Sequence, residues 1–310
     1  MARRKIILDC DPGHDDAVAL LLAGAHPSLE MLGITPVAGN SYVENTTRNA
    51  LILTEMADLD VPVIPGAGKP LLRAQIVAPN IHGESGLEGV PLPSPTRKPL
   101  AMKAIDFMAE QIQKFPGEVT LVPIGPLTNI AHFVLHYPEL LGNVQEVVIM
   151  GGGIHFGNTT PVAEFNIFAD PEAAQIVFQS GMPLTVMPLD VTHQAKIFLG
   201  EIKKMEAFSS EIISKMGTLL GFFHKTYYDV FHIEGAPLHD PCTIAYLIEP
   251  ELFGFEDYVA NVELHGTHTY GQTVVDYWHL SGKAPNSRWA KSIDRERYIQ
   301  LIFETFSRYA

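Results

Sequence analysis

Short runs in which almost every position is apolar alternate along this chain with longer stretches in which apolar residues recur every three or four positions. KIILDC (5–10), LEMLGITPVAG (29–39), VPVIPG (61–66), EVTLVPIG (118–125), EVVIMGGG (146–153) and PLTVMPLD (183–190) are the apolar runs, and most are bounded by Gly, Pro or Asp. Helices are expected between them, over 15–26, 43–59, 100–114, from Pro126 onward and over 170–181. Strands buried on both faces and separated by helices are the mark of a parallel sheet. The predicted fold class is therefore α/β, an open, mostly parallel β-sheet with flanking helices and a Rossmann-like core. Residues 199–250 read as chiefly helical. YVANVELHG (258–266) and QTVVDYWHL (272–280) read as later strands, before a C-terminal helix from about residue 292.

One segment breaks the alternation. Residues 67–98 are rich in Pro and Gly and carry no strong periodicity, and an irregular stretch of that length inside a compact domain is more often functional than a linker. No other composition shift marks a boundary, so a single domain over 1–310 is expected.

Ligands of open parallel sheets bind beyond the carboxyl ends of the strands, which makes the residues following each strand informative. They are Asp9, Asp11, Asp15 and Asp16 after the first strand and Asn40 after the second. Asn129 follows the strand at 118–125, and Asn158, Glu164 and Asn166 follow GGG. Carboxylates and amides dominate. In DCDPGHDDA (9–17), Pro12 and Gly13 turn the chain and bring four aspartates together, with no Lys or Arg nearby after Lys5. Two unit charges about 4 Å apart repel by roughly 4 kcal/mol at an effective dielectric of 20, so the cluster calls for a counter-charge or protonation. A hard divalent cation bound by oxygen is the natural candidate, although a lone Asp at such a place would be a helix cap. An EF-hand is excluded, because counting from Asp9 places Gly13, His14 and Leu20 at positions five, six and twelve. An Asp-x-Asp opening also suits a haloacid-dehalogenase-like phosphatase, with Asp9 as nucleophile, although Gly13 stands where that opening wants Thr or Val.

Charge narrows the partners. The formal net charge of −14 disfavours a nucleic-acid polymer or an anionic membrane surface. The apolar run after MARRK ends at Asp9, too early for a signal peptide, and Ala17–Ala25 is too short to span a bilayer. Two cysteines, Cys10 and Cys242, form no framework and point to a cytoplasmic location.

The full string DCDPGHDDA fits DxDxGxDD and resembles the N-terminal signature of the inosine-uridine nucleoside hydrolase family. VAGN (37–40), NIHGESGL (80–87), VPIGPLTNIA (122–131), MGGG (150–153), AEFNIFADPEAA (163–174) and LHDP (238–241) extend the resemblance in order. It implies a nucleoside hydrolase fold, one Ca2+ ion and hydrolysis of the N-glycosidic bond of ribonucleosides, in a homotetramer or dimer. By resemblance, Asp11, Asp16, Asp240 and the backbone carbonyl of Ile124 are metal ligands, and Asp11 is also the general base. Asp15, Asn40, Asn158, Glu164 and Asn166 would hold the ribose.

A departing nucleobase needs a proton or strong hydrogen bonds, and His82 and His239 are the candidates the resemblance points to. Tyr227, Tyr228 and Phe231 are expected at the base, with the loop 76–88 closing over it. The same two histidines resemble those of pyrimidine-preferring members, which favours uridine and cytidine. Two other readings stand beside this one: the phosphatase, and a non-catalytic nucleoside-binding protein.

Overall fold

A computed structural model describes residues 3–309. Its first half is a run of βα units: β1 (Arg4–Cys10), α1 (His14–Ala25), β2 (Leu29–Pro36), α2 (Val43–Met56), the short α3 (Pro79–His82), α4 (Ala104–Lys114), β3 (Val119–Pro123), α5 (Thr128–His136) and β4 (Val144–Met150). Next come α6 (Phe165–Ala169), α7 (Pro171–Phe178), β5 (Leu184–Met187), α8 (Leu189–Thr192), β6 (Lys196–Ile197), α9 (Leu199–Glu206), α10 (Glu211–Phe231), β7 (Ala236–Pro237) and α11 (Pro241–Ile248). The chain ends with β8 (Phe253–Tyr258), β9 (Ala260–Val262), β10 (Thr273–Val275), β11 (Ser287–Ile293) and α12 (Arg295–Phe306).

The central sheet has the order β2-β1-β3-β4-β5-β11-β8, and every neighbouring pair is parallel except β11–β8. The predicted open, mostly parallel α/β sheet is thus the observed one. The inner stretches of its central strands, such as Ile6–Leu8 of β1, Leu121–Val122 of β3 and Val147–Met150 of β4, are continuously apolar because each face is covered. On β1, Ile6, Leu8 and Cys10 enter the core shared with α1, α2, α10, α11 and α12, while Ile7 enters the core shared with α4, α5 and α7.

Three expectations are corrected. VPVIPG makes only one bridge, Val63 to Ile34, because its two prolines lack the N–H a ladder needs. Residues 287–293 form sheet strand β11, and the last helix starts at Arg295, where the Asp294 side chain accepts the Arg297 N–H. The strands read at 258–266 and 272–280 shrink to β9 and β10, a separate antiparallel pair, while the unread segment β8 takes the sheet edge. Polar residues alternate through β8 and β11, as fits the exposed end of the sheet, and that weakens the apolar signal.

The segment 67–98 is tied down at several points. Ala67 N–H bonds Asn129 Oδ1 and Leu71 N–H bonds Asp170 Oδ2. Ala78 N–H bonds the Asn40 carbonyl, and Asn49 Nδ2 donates to the Ser85 carbonyl. These bonds hold α3 over the carboxyl ends of β1 and β2. Among the described residues no helix is long and apolar enough to cross a membrane.

Candidate active site

β1 ends inside the protein, so DCDPGHDD is delivered into a nearly water-free crevice. Asp9, Asp11, Asp15 and Asp16 are at most 5% exposed, and Asp240 is 4% exposed. Asp16, in the first turn of α1, accepts the N–H groups of Gly13 (2.9 Å) and Asp11 (3.1 Å), so its carboxylate closes the Pro12–Gly13 turn on itself. Asn40 clamps the turn from β2: its N–H donates to Asp11 Oδ2 at 2.6 Å, and its Nδ2 reaches the Asp11 carbonyl and Asp16 Oδ2. Gly39 and Gly125 flank the Asp11 carboxylate so closely that a Cβ at either would overlap its oxygens. The cradle leaves Asp11 Oδ1 buried with no hydrogen-bond partner.

Asp240 arrives from the opposite side at the start of α11. Carboxylate oxygens of Asp15, Asp16 and Asp240 lie within 4.8 Å of one another. The sequence reading grouped Asp11, Asp16, Asp240 and Ile124 and set Asp15 apart, whereas the structure gathers Asp15 with Asp16 and Asp240. Burial first, then mutual repulsion, raises Asp11 and Asp240 well above the usual carboxylate range and Asp15 to about 8.

Asp9 has a different place. It is fully buried, and its Oδ2 accepts Thr35 Oγ1 (2.6 Å) and Asn129 Nδ2 (2.8 Å), tying β1 to β2 and α5. Asp9, Asp11 and Asp16 all lie behind the residues that line the cavity, and the Thr35 and Asn129 bonds that occupy Asp9 Oδ2 speak against Asp9 as the nucleophile of the phosphatase reading. Burial lifts its carboxyl to about 7, and its Oδ1 has no partner. An acid whose folded pKa lies above its unfolded value keeps its proton only in the folded state, so stability falls as pH rises from about 4 to about 7. Asp9→Asn should flatten that slope in urea melts at several pH values. It should also stabilise the protein above neutral pH by on the order of 1–3 kcal/mol, because no buried carboxylate then has to ionise without a partner.

A cavity of about 390 Å3 opens over the carboxylates. Asp15, Asn40, Ile124, Asn158, Glu164, Asn166 and Asp240 line it, together with His82, Phe223, Tyr227, Phe231 and His239. Neither Lys nor Arg is among the lining residues. Asn158 Oδ1 accepts the Phe165 N–H, and Asn166 Nδ2 donates to the carbonyls of Ile124 (2.8 Å) and Met150 (3.1 Å). Glu164 caps α6 by accepting the N–H groups of Asn166 and Ile167 and also takes that of Gly152; burial still pushes it to about 7. The GGG stretch packs on Glu164, Thr273 and Trp289 and does not line the cavity.

His239 is held at both ring nitrogens, by Thr192 Oγ1 and by Tyr227 Oη, each at 2.7 Å, and burial lowers its pKa well below the usual value. Tyr228 is corrected: it is 53% exposed and lies outside the cavity. Adjacent helix positions point about 100° apart, so Tyr227 and Tyr228 cannot share a face. Phe223, Tyr227 and Phe231, spaced by four, do share one; Phe223 and Val230 were not assigned to the site from sequence, although that spacing contains the signal. Tyr228→Phe should leave ribose release from nucleosides unchanged. Tyr227→Phe, which removes the hydroxyl bonded to His239 Nε2, should lower kcat/KM by about tenfold or more in a steady-state assay.

Known proteins resemble this chain over nearly its whole length. The inosine-uridine preferring nucleoside hydrolase model matches residues 6–300. The chain is 48% identical over 309 residues to the pyrimidine-specific ribonucleoside hydrolase RihA of Enterobacter sp. (strain 638), covering 98% of each. It is 47% identical over 307 residues to the RihA of Salmonella typhimurium (strain LT2), covering 98% of this chain and 99% of that one. Among solved structures, the purine-preferring ribonucleoside hydrolase from Gardnerella vaginalis superposes with a TM-score of 0.93 at 31% identity, over 98% of both chains. An acidic, amide-lined crevice at the carboxyl ends of a parallel sheet and a family match over nearly the whole length lead to one conclusion: the chain belongs to the inosine-uridine preferring nucleoside hydrolase family.

Proposed function

We propose that this protein is a calcium-dependent ribonucleoside hydrolase that prefers pyrimidine nucleosides, releasing ribose and the free base from uridine and cytidine. The observation that carries the reading is the cavity itself, whose lining joins carboxylate and amide groups with aromatic and imidazole rings. Cleavage of an N-glycosidic bond places developing positive charge on the sugar, which buried anions stabilise and a lysine or arginine would oppose. The pyrimidine preference is supported by the curated relatives, whose names state it.

The donor set fits a hard cation. The Asp15, Asp16 and Asp240 oxygens converge, Asp11 Oδ1 is buried without a partner, and every available ligand atom is oxygen. Asp11, Asp16, Asp240 and the Ile124 carbonyl would hold Ca2+, which when bound lowers the pKa of water and attracts a diol. Asp11 acts as general base, its free Oδ1 accepting the proton of the attacking water. Asp15, Asn40, Asn158, Glu164 and Asn166 orient the ribose. His239, with Tyr227 on its Nε2, and His82 meet the departing base, and Phe231 packs beside them.

Ribose release from uridine and inosine, measured before and after chelation, tests this reading. We expect faster release from uridine, loss of activity on chelation and its return with added calcium. No release from either nucleoside would overturn the hydrolase, and chelation without effect would overturn the calcium. A cytoplasmic homodimer or tetramer accompanies the reading, in keeping with two free, buried cysteines; light scattering on the purified protein measures the assembly.

A further inference from the structure

Arg73 lies in the irregular segment 67–98 and takes part in no step described above, yet its side chain is held by two partners. Its Nε and its Nη2 each lie 2.9 Å from Glu172 Oε1, and its guanidinium stacks on the Tyr270 ring, 4.3 Å from the centroid. Tyr270 Oη donates to Glu172 Oε2 at 3.2 Å, so the three side chains close on one another. The Tyr270 ring also meets Phe168 edge-on, with 5.8 Å between centroids.

Both ends of this chain of contacts reach the cavity. Phe168 lines it directly, and so do Ile76 and Val77, which follow Arg73 closely in sequence. The backbone around Arg73 is tied at Leu71, whose N–H bonds Asp170 Oδ2 at 2.9 Å, and next at Ala78, whose N–H bonds the Asn40 carbonyl. Between these two ties no backbone N–H has a partner among the described residues, so the Arg73 side chain is the polar hold on the stretch that carries Ile76 and Val77. An exposed ion pair by itself contributes little, but here the Glu172 side chain is only 12% exposed and the guanidinium also covers an aromatic face. Gly271, at φ 78°, lets the turn carrying Tyr270 come this close: a Cβ there would lie 3.0 Å from Phe168 Cδ2.

We propose that Arg73 is a positioning residue that, by gripping Glu172 and Tyr270, fixes the apolar wall formed by Phe168, Ile76 and Val77 and so sets the affinity of the cavity for its nucleoside. The proposal deepens the functional reading above and rests on it for the identity of the ligand. Apolar side chains offer no charge or proton to the breaking N-glycosidic bond. Their placement therefore acts on the bound substrate and the transition state alike, and its loss falls on KM rather than on kcat.

Arg73→Met keeps an unbranched side chain and removes both the charge and the planar stack. It should raise KM for uridine by about tenfold and leave kcat within about twofold of wild type. Arg73→Lys can still pair with Glu172 but offers no planar group to Tyr270, so it should recover only part of the loss. Tyr270→Phe keeps both ring contacts and should behave as wild type, whereas Tyr270→Ala should match Arg73→Met. Amide hydrogen exchange, read by mass spectrometry on peptides covering 71–78, should quicken in Arg73→Met at Leu71 and Ala78 and stay as in wild type over the β1–α1 motif. A folded Arg73→Met protein with wild-type KM, with wild-type exchange at both amides, or with its loss confined to kcat would overturn the proposal. The exchange measurement needs no turnover, so absence of ribose release from wild-type protein would sink the hydrolase reading separately.

Discussion

Asp11→Ala is expected to lower kcat/KM for uridine by roughly 10⁴-fold, and Asp240→Ala to lose as much, through different causes. Asp11 Oδ1 is buried and free of hydrogen bonds, and in the proposed mechanism its removal takes away the proton acceptor. Asp240 brings the third carboxylate to the Asp15–Asp16 pair from a distant part of the chain, so its removal dismantles the cation site. The two are told apart by calcium titration followed through the melting temperature. Calcium should raise the melting temperature of the wild-type protein and leave Asp240→Ala unmoved. Full activity in either variant would sink the mechanism.

Gly39→Ala is expected to lower kcat by about 100-fold without touching any reacting group. The added Cβ would overlap Asp11 Oδ2 and meet the Pro126 ring at 2.7 Å, so the Asp11 carboxylate must swing out of its cradle. A displacement of about 1 Å is enough for a loss of that size. Overpacking in so tight a place should also destabilise the protein by about 1–3 kcal/mol. Kinetics and urea melts on the same preparation check both. Wild-type kcat in Gly39→Ala would show that the position of Asp11 is not critical.

Much of the candidate site is legible in the sequence. The glycine and proline of DCDPGHDDA, the strand–turn–helix context and the missing basic residues all point to an oxygen-lined cation site. Less legible are the relations among residues far apart in sequence. Asp9 and Asp11 are two positions apart at the end of one strand and look equivalent, yet one binds the side chains of Thr35 and Asn129 and the other is cradled by Asn40, Gly39 and Gly125. Tyr227 and Tyr228 are also alike in sequence, and the rotation of α10 buries one beside His239 and leaves the other to solvent.

The sequence by itself determined the α/β class, the βα alternation and the acidic motif, because these depend on periodicity and on residues that are neighbours along the chain. Only the tertiary structure decided which carboxylates converge, which strands fill the sheet edge, and that Arg73 meets both Glu172 and Tyr270. Those outcomes depend on packing between segments tens to hundreds of residues apart, where no local preference selects a partner.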